Sequence, residues 1–391
     1  MHGNVLHTIT GLNVGGAEFM LARFLGGLDL SVYPSTVLSL LPPGKVAPRV
    51  EQAGARVLTL DMVMARPRLS DIVRLVRSVR KAAPDLIHGW MYHGNLAASL
   101  GAMLSLSFPP VIWSIHHTVD DIANEKPMMR RTISLLARLS SRTVAISYCS
   151  KIAADQHEKL GFDPRRRAVI PNGIDCDAFS PVPERRTALH AMIGLPSERL
   201  IIGNVARFHP MKDQVSLVNA IGKLVSDGFD VQGVFLGEGH EDGPVRQTAR
   251  ELGIDERITT PGVRDDVAEL LPGFDVVVQS SAWGEAFSLS LGEAMACGVP
   301  AVSTDVGDSG WMIGTTGVVV PPRDAAALAA GIAKILTLQP EERRALGQRA
   351  RERVIENFSL PIYVQRHLDL YHRSFRRRPL LQGTNPKEAP R

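Results

Sequence analysis

The sequence predicts an α/β fold with two domains, each built on a doubly wound parallel sheet. Apolar runs of strand length alternate with amphipathic runs of helix length along nearly the whole chain. A segment rich in Pro, Asn, Gly and Asp, residues 170–181, interrupts this alternation, which then starts again. The 391 residues also exceed what one ordinary core needs. We therefore predict a first domain over residues 1–178 and a second over residues 182–358.

The composition excludes several classes of protein. With 45% hydrophobic and 21% charged residues, the chain has the balance of an ordinary globular protein and not of a disordered one. The net charge of +4 is too small to indicate nucleic acid, and we predict no such partner. The same charge fits an anionic substrate or an anionic membrane surface equally well.

Cysteine usage and the apolar runs indicate the compartment. Cys149, Cys176 and Cys297 are far apart and form no spacing typical of a zinc site, which favours a reducing cytoplasm. The first residues lack the basic and apolar regions of a signal peptide, and no run approaches the roughly 18 apolar residues of a spanning helix. We expect a cytoplasmic protein that can also lie at the inner face of the cell membrane.

The first predicted strand leads into a glycine-rich loop. Residues 4–10 have the pattern of a strand, Gly15 and Gly16 follow in the loop, and an apolar periodic run from Phe19 predicts a helix. Strand, glycine-rich loop and helix together allow a phosphate to approach the helix N-terminus. A tight glycine turn without any ligand explains the same pattern.

Further strands and helices complete the first domain. The strands are predicted at residues 35–40, 56–60, 85–88, 111–116 and 142–146, and the helices at 68–83, 95–106 and 150–160. Ligands of such sheets bind beyond the carboxyl ends of the strands, where His88, His93, His116 and His117 are expected. A lone histidine is more often structural, and His116, directly at a strand end, is the strongest candidate for a site role.

Basic residues concentrate in residues 125–139, where Arg130, Arg131 and Arg138 alternate with Met, Ile and Leu. Such a basic amphipathic segment can lie on an anionic bilayer. A partly exposed helix with one buried face explains the pattern equally well. The three consecutive arginines at 165–167 are interpreted as a solvated turn.

The second domain restarts the alternation and adds a candidate anion site. Strands are predicted at 200–205, 231–236, 258–260, 276–279 and 299–303, helices at 213–227, 325–334, 341–356 and 361–378, and a disordered tail at 379–391. Arg207 and Lys212 lie between its first strand and helix, where a guanidinium and an ammonium can bind one anion. Two solvated loop charges are the alternative. Residues 237–243 are interpreted as a turn, because their glycine spacing does not fit a dinucleotide-binding loop.

The stretch from Ser280 to Thr304 carries the most chemistry. It predicts loop, helix, turn and strand in that order, with Glu285 in the loop and Glu293 on the helix. The N-terminus of the helix offers unpaired backbone N–H groups to an anion such as phosphate. Two carboxylates beside it can accept hydrogen bonds from hydroxyl groups, of which sugars have many.

Residues 285–300, EAFSLSLGEAMACGVP, resemble the acid-x7-acid motif of the retaining glycosyltransferases of family four. Other matching segments follow in the same order along nearly the whole chain: VGGAE at 14–18, VIWSIH at 111–116, IPNGID at 170–175, VARFHPMK at 205–212, PGVRDDV at 261–267 and TGVVVPPRD at 316–324. The resemblance implies the GT-B fold, in which two Rossmann-like domains face each other across a cleft. It also implies that the last helix, residues 361–378, packs back onto the first domain.

The resemblance implies a nucleotide-diphosphate sugar as donor, held mainly by the second domain. Glu293 would accept from the ribose hydroxyls, and Glu285 would face the donor sugar. Arg207 and Lys212 would neutralise the diphosphate, and His116 would lie near the sugar on the acceptor side. The resemblance implies three further substrate-binding regions. Gly15 and Gly16 would form the glycine loop of the first domain, and the backbone around Val263 would meet the nucleobase. The residues directly after Glu285 would lie near the sugar or phosphate: Ala286, Phe287, Ser288 and Leu289.

The implied chemistry requires no metal and no cofactor. The leaving nucleoside diphosphate gains charge as the glycosidic bond breaks, and preorganised cations and helix N–H groups can stabilise it there. Ala286 and Ser288 stand where the family usually has glycine. Their side chains can narrow the sugar pocket and so change which donor sugar is preferred. The spacing of the two acids stays intact.

The predicted function is retaining transfer of a hexose or related sugar to a glycan or lipid-linked acceptor, in the assembly of bacterial surface polysaccharide or lipopolysaccharide. A sugar-nucleotide epimerase of GT-B fold and a catalytically silent sugar-nucleotide-binding protein are the alternatives. A glycoside hydrolase is disfavoured. Its two carboxyl groups would lie about 5 to 9.5 Å apart, whereas eight residues of helix rise by about 12 Å.

Overall fold

The computed structural model describes residues 3–63, 68–182 and 184–376. The first sheet contains β1 Val5–Ile9, β2 Ser35–Ser39, β3 Arg56–Thr59, β4 Leu86–Trp90, β5 Val111–Ile115, β6 Ala145–Tyr148 and β7 Arg167–Val169. Its helices are α1 Gly16–Gly26, α2 Ala47–Gln52, α3 Leu69–Ala82, α4 Met91–Leu104, α5 Pro127–Leu139 and α6 Lys151–Lys159. All strand pairs are parallel, in the order β3-β2-β1-β4-β5-β6-β7.

The second sheet contains β8 Leu200–Val205, β9 Val231–Leu236, β10 Ile258–Gly262, β11 Val276–Gln279, β12 Ala301–Thr304 and β13 Gly317–Val320. The remaining helices are α7 Glu184–Ile193, α8 Gln214–Ser226, α9 Pro244–Glu251, α10 Val267–Leu270, α11 Leu289–Ala296, α12 Ser309–Ile313, α13 Ala325–Leu336, α14 Pro340–Phe358 and α15 Leu360–Arg376. The strands are again parallel, in the order β10-β9-β8-β11-β12-β13. The predicted α/β class with two doubly wound sheets is confirmed.

Both faces of the first sheet are buried by helices, and this explains the apolar character of its strands. In β1, Val5 and Ile9 pack in the core beneath α1, α2 and α15. Leu6, on the opposite face of the same strand, packs in the core beneath α3, α4, α5 and α6. Successive strand residues point to opposite faces, so one short strand supplies both cores.

The order of the strands fixes where a ligand can bind. In the first sheet the order reverses between β1 and β4, and in the second between β8 and β11. Open parallel sheets bind ligands at such reversals, beyond the carboxyl ends of the strands. Gly16 begins the helix that follows β1, and Lys212 and Glu285 lie in the segments that follow β8 and β11, so the topology alone directs these residues toward one region.

Several elements differ from the sequence-based expectations. The arginines at 165–167 do not form only a solvated turn, because Arg167 begins the short edge strand β7. The helices α2, α7, α9, α10 and α12 and the strand β13 were not expected. Helix α4 begins at Met91, four residues earlier than predicted. His88 lies inside β4 and is fully buried, so its predicted place at a strand end is wrong. His93 lies on α4 and not at a strand end.

Helix α15 packs on the first sheet although it follows the second in sequence. Tyr363 and Tyr371 are fully buried in the core that contains α1. His88 Nδ1 lies 2.8 Å from the Tyr371 hydroxyl, which ties this helix to β4. The last part of the predicted helix, residues 377–378, and the predicted tail, 379–391, lie outside the described residues. None of the helices in the described part of the chain is long and apolar enough to cross a membrane.

Candidate functional site

A cleft of about 530 Å³ lies between the two sheets, at the carboxyl ends of their strands. The first domain lines it with Gly16, Phe19, Arg23, His116, His117, Thr118, Cys149 and Asn172. The second domain lines it with Lys212, Gly284, Glu285, Ala286, Phe287, Ser288, Leu289, Ser290 and Glu293. Residues more than 250 positions apart in sequence therefore face one space, and most of the predicted site residues are among them.

Glu285, the acid in the loop, is paired with Lys212, the lysine predicted to bind phosphate. Lys212 Nζ lies 2.5 Å from Glu285 Oε1, and the Ser281 hydroxyl donates to the same oxygen at 2.6 Å. Glu285 is only 8% exposed, so these donors hold a buried carboxylate in a fixed orientation. Because both bonds go to Oε1, the second oxygen is the one that can accept from a ligand.

Helix α11 begins at the cleft wall. The Ser288 hydroxyl caps it by accepting from the backbone N–H of Leu291 at 3.4 Å. The next residues, Leu289 and Ser290, line the cleft, so the positive end of the helix faces it. Phe287 lines the cleft and also packs its ring in the second domain's core, with the ring centroid 5.5 Å from that of Phe358.

The helix acid is paired across the cleft with the first domain. Glu293 Oε1 accepts from Arg23 Nη2 at 3.3 Å, which joins α11 to α1. Burial raises the pKa of Glu293, and the Arg23 charge and hydrogen bond oppose that rise. Arg23 Nη1 is buried and has no hydrogen-bond partner among the described residues. This guanidinium thus stabilises one carboxylate and retains a donor for another acceptor.

Helix α1 presents one face to the cleft. Gly16, Phe19 and Arg23 are spaced by three and four residues, which places them on the same side of a helix. A Cβ on Gly16 would meet nothing within 4 Å, so the backbone here borders open space. Gly15 is the N-cap of α1, has an extended conformation and lies outside the cleft lining. A Cβ added to Gly15 would collide with the Glu18 carboxylate.

His116 follows β5 and is held by three contacts. Its Nδ1 lies 2.9 Å from Asn172 Oδ1, its ring stacks on Trp90 at 5.6 Å, and its backbone N–H donates to Met91 Sδ. Because Asn172 Oδ1 can only accept, Nδ1 carries the proton and Nε2 is left as an acceptor. Burial lowers the pKa of His116 to about 4, so the ring is neutral at pH 7.

Besides Gly15, two predicted residues lie outside the cleft lining, namely Arg207 and Val263. Arg207 is on the same loop as Lys212, and its side chain is exposed. Val263, directly after β10, is 70% exposed. The roles of Arg207 and Val263 stay predictions, as do those of the residues inside the cleft.

Sequence reasoning missed several residues that shape the site. Arg23, Asn172 and Ser281 contact the predicted residues, and the Thr118 hydroxyl donates to the Gly284 carbonyl across the domains at 3.1 Å. The helical spacing of Arg23 from Gly16 was a usable signal for the face of α1. The other contacts join segments far apart in sequence, and no local pattern indicates them.

This arrangement suits a substrate with both anionic and hydroxyl groups. An ammonium and a helix N-terminus offer positive potential, while the buried carboxylate of Glu285 and the partly buried carboxylate of Glu293 offer hydrogen-bond acceptors. A neutral imidazole on the opposite wall adds an acceptor that is not charged. A polar molecule that spans both domains can therefore satisfy groups on each.

Comparison with protein families gives two matches that together cover most of the chain. The family described as Glycosyltransferase Family 4 matches residues 14–178, and the family described as Glycosyl transferases group 1 matches residues 185–353. The two matches abut between residues 178 and 185, where the chain passes from the first sheet to the second.

Individual proteins are similar over most of their length. EpsF of Bacillus subtilis (strain 168), named as a glycosyltransferase, is 26% identical over 305 residues, or 77% of this chain and 79% of EpsF. The N-acetyl-alpha-D-glucosaminyl L-malate synthase of Bacillus anthracis is 28% identical over 270 residues, 67% of each chain. The crystal structure of Anabaena HepE in complex with UDP is 19% identical with a TM-score of 0.82, and the match covers 94% of this chain and 99% of HepE.

Proposed function

Since the chain belongs to glycosyltransferase family four and has the GT-B fold, we propose that it transfers a sugar from a nucleotide-diphosphate donor to a glycan or lipid-linked acceptor. One observation carries the proposal. The paired Lys212 and Glu285, beside the N-terminus of α11, face the first domain across the cleft. The acceptor, the retention of configuration and the pathway are part of this proposal.

The donor would lie along the second domain. HepE, which has the same fold, is known in complex with UDP, and this supports a nucleotide sugar as the donor class here. Glu293 on α11 would accept from the ribose hydroxyls, and Glu285 would accept from a hydroxyl of the donor sugar. The exposed Val263 after β10 leaves its backbone accessible to the nucleobase.

The diphosphate would lie at the N-terminus of α11. The backbone N–H groups of Leu289 and Ser290 and the ammonium of Lys212 would stabilise the charge that develops on the leaving phosphate. The exposed Arg207 can turn toward the same group. The reaction would need no metal: EDTA should leave the rate unchanged, and a rate restored only by added Mg²⁺ or Mn²⁺ would exclude this part of the proposal.

Retention would follow from attack on the same face as the departing phosphate. The acceptor oxygen would bond to the anomeric carbon as the carbon–oxygen bond to the diphosphate breaks, and the departing phosphate would take the acceptor proton. His116, whose Nε2 is an acceptor at pH 7, would hold a hydroxyl of the donor sugar from the first domain's side. The ring positions the sugar and does not carry the acceptor proton.

The acceptor would be part of a bacterial surface polysaccharide, and the protein would meet it in the cytoplasm at the membrane. Helix α5 supports the membrane contact, because Met128 and Leu135 are 56% and 43% exposed beside the exposed arginines 130, 131 and 138. Residues 127–142 contain no acidic side chain. Apolar side chains that border several arginines suit an anionic lipid surface.

Vesicle sedimentation tests this contact. Binding to vesicles that contain phosphatidylglycerol, weakened by replacing Arg130, Arg131 and Arg138 with Gln, would support it. Replacement of three exposed arginines elsewhere, Arg77 on α3 and Arg344 and Arg349 on α14, removes the same charge and should leave binding unchanged. A parent protein that ignores anionic vesicles would overturn the proposal of membrane contact.

The donor is best identified by a thermal-shift panel of sugar nucleotides. A ligand that binds only the folded state raises the unfolding temperature, and at equal concentrations the tighter ligand raises it more. The nucleotide sugar with the largest shift is then incubated with a panel of glycan and lipid-linked acceptors, and the products are analysed for anomeric configuration. Transfer with retention supports the proposal. Conversion of the donor without an acceptor would indicate an epimerase, and binding without any turnover would indicate a silent binding protein.

A further inference from the structure

Asp308 in the second domain contacts the first domain beside the cleft. Its Oδ2 accepts from the backbone N–H of Lys151 at 2.6 Å, and its Oδ1 accepts from that of Ile152 at 3.2 Å. The carboxylate is only 5% exposed. Lys151 and Ile152 are the first two residues of α6, so an acid of one domain caps a helix of the other.

The capping of α6 is divided between the two domains. Ser150, the local N-cap, accepts from the N–H of Ala153 at 3.1 Å. The first N–H groups of a helix have no intrahelical partner, and here Asp308 supplies partners for two of them. The carboxylate also lies at the positive end of the helix, where a negative charge is stabilised. The N–H groups of Lys151 and Ile152 therefore have this carboxylate as their partner only when the domains are together.

A second contact lies beside the first. The Lys151 ammonium is 4.0 Å from the centroid of the Trp311 ring, which belongs to α12 in the second domain. An ammonium over an indole face is attracted by the ring's electrons. The side chain of Lys151 thus crosses to the second domain at the same point where its backbone receives Asp308.

The same segment supports the loop that carries Glu285. Asp308 N–H donates to the Ala286 carbonyl at 3.3 Å. Gly307, with φ +63°, lies so close to the Glu285 carbonyl that a Cβ would be 2.1 Å from its oxygen. On the other side of the contact, Cys149 lines the cleft two residues before Lys151. Residues 307–308 therefore touch the backbone of the acid loop and the first domain at once.

We propose that Asp308 is a positioning residue that couples closure of the two domains to placement of Glu285. When the domains close, the carboxylate caps α6, and residues 307–308 are fixed between that helix and the acid loop. When they open, the cap is lost and the segment that supports Glu285 loses its anchor. The inference rests on the proposed function, since it assigns Asp308 to the turnover step of that reaction.

The test compares Asp308→Ala and Asp308→Asn with Asp163→Ala. Asp163 also caps a short helical turn, accepting from the N–H of Arg165 at 3.0 Å, but within the first domain. Domain separation is measured by energy transfer between one dye on each domain. Turnover and donor affinity are measured with the nucleotide sugar that most stabilises the parent protein.

Asp308→Ala is expected to shift the labelled protein toward the open state and to lower kcat at least tenfold, with the donor Kd changed less than threefold. Asp308→Asn, which keeps one acceptor oxygen, should be intermediate, and Asp163→Ala should match the parent in all three readouts. Parent-like dye distance and kcat in Asp308→Ala would overturn the proposal, as would equal losses in Asp163→Ala. If the parent protein binds no sugar nucleotide, the proposed function fails, and the dye distance still tests whether Asp308 holds the domains together.

Discussion

The Nζ of Lys212 lies 2.5 Å from Oε1 of Glu285, although 73 residues separate them in sequence. The pair places a positive charge beside the acid that is expected to face the donor sugar. Each side chain therefore fixes the other before any substrate binds. In a mostly buried setting, this preorganisation saves the cost of orienting charges during the reaction.

Replacing either member of this pair should remove most transfer. Glu285→Gln keeps the shape but loses the acceptor charge, and Lys212→Met loses the cation that stabilises the leaving phosphate. Each change is expected to lower kcat by about a hundredfold or more. Steady-state rates with the identified donor check this, and circular dichroism establishes that the variants are folded. Near-parent kcat in both variants would exclude the site assignment.

Removing Arg23 should make donor binding sensitive to pH. Burial already raises the pKa of Glu293, and loss of the Arg23 charge raises it further, so the carboxylate of Arg23→Met takes up a proton at a higher pH. A protonated acid is a poorer acceptor for ribose hydroxyls. Calorimetry with UDP should show affinity reduced about tenfold at pH 6 and less at pH 8, corresponding to about 1.4 kcal/mol at the lower pH.

Arg23→Lys, which keeps the charge, is the control and should retain most of the affinity at both pH values. An equal loss at pH 6 and pH 8 in Arg23→Met would show that the guanidinium acts on the ligand and not through the protonation of Glu293.

A methyl group on Gly307 should displace the acid loop. In Gly307→Ala the Cβ would lie 2.1 Å from the Glu285 carbonyl oxygen, which belongs to the backbone and cannot rotate away. Gly253 has a similar φ of +67° but no neighbour within 4 Å of an added Cβ. Gly307→Ala and the control Gly253→Ala both lose the conformational freedom of glycine. Only Gly307→Ala should lower kcat, by about tenfold or more. Equal kcat in the two variants would contradict this role of the close contact.

The unfolding free energy should fall as the pH drops from 6.5 to 5. His7 and His367 are fully buried, and burial lowers the pKa of each to about 3. Burial also lowers the pKa of His88 well below its usual value. Below pH 6.5 the unfolded chain binds protons that the folded core excludes. Each such histidine then reduces the unfolding free energy by about 1.4 kcal/mol per pH unit.

Urea unfolding at pH 7.5, 6.5, 5.5 and 5.0 measures this loss. The window ends at pH 5 because carboxylates titrate below it. A constant unfolding free energy between pH 6.5 and 5.0 would contradict the prediction, since it would require these imidazoles to be protonated in the folded protein.

The sequence was sufficient for the fold class, for most of the strands and for the local parts of the site, but the strands β7 and β13 were not predicted. Apolar runs predict the buried strands, and the periodicity of apolar residues predicts the helices. The order of loop, helix and strand around Glu285 and Glu293 follows from the positions of glycine and proline and from the spacing of the apolar residues. The edge strand β7 was missed because Arg167 is exposed and the strand is only three residues long, so neither burial nor alternation marks it. The helix α7 has few buried residues and a weakly amphipathic pattern.

Contacts between distant segments could not be predicted. Arg23 reaches Glu293 over 270 residues, and Asp308 reaches Lys151 over 157. Each contact depends on how the two domains are placed against each other, which no local periodicity encodes. The sequence placed four histidines near strand ends and favoured His116, which does line the cleft, but it did not indicate that His88 lies in the core.

The packing of α15 on the first sheet has a consequence for how the protein is made. Tyr363 and Tyr371 on α15 pack in the same core as Val5 on β1. Because α15 follows the second domain in sequence, the ribosome must synthesise that domain before the core of the first domain can be completed. The chain crosses between the domains twice, and the two crossings are joined where Ile174 N–H donates to the Phe358 carbonyl and Leu360 N–H donates to the Ile174 carbonyl, both at 2.8 Å. A nascent chain lacking α15 therefore exposes apolar surface, and truncation there should give aggregation and not a separate first domain.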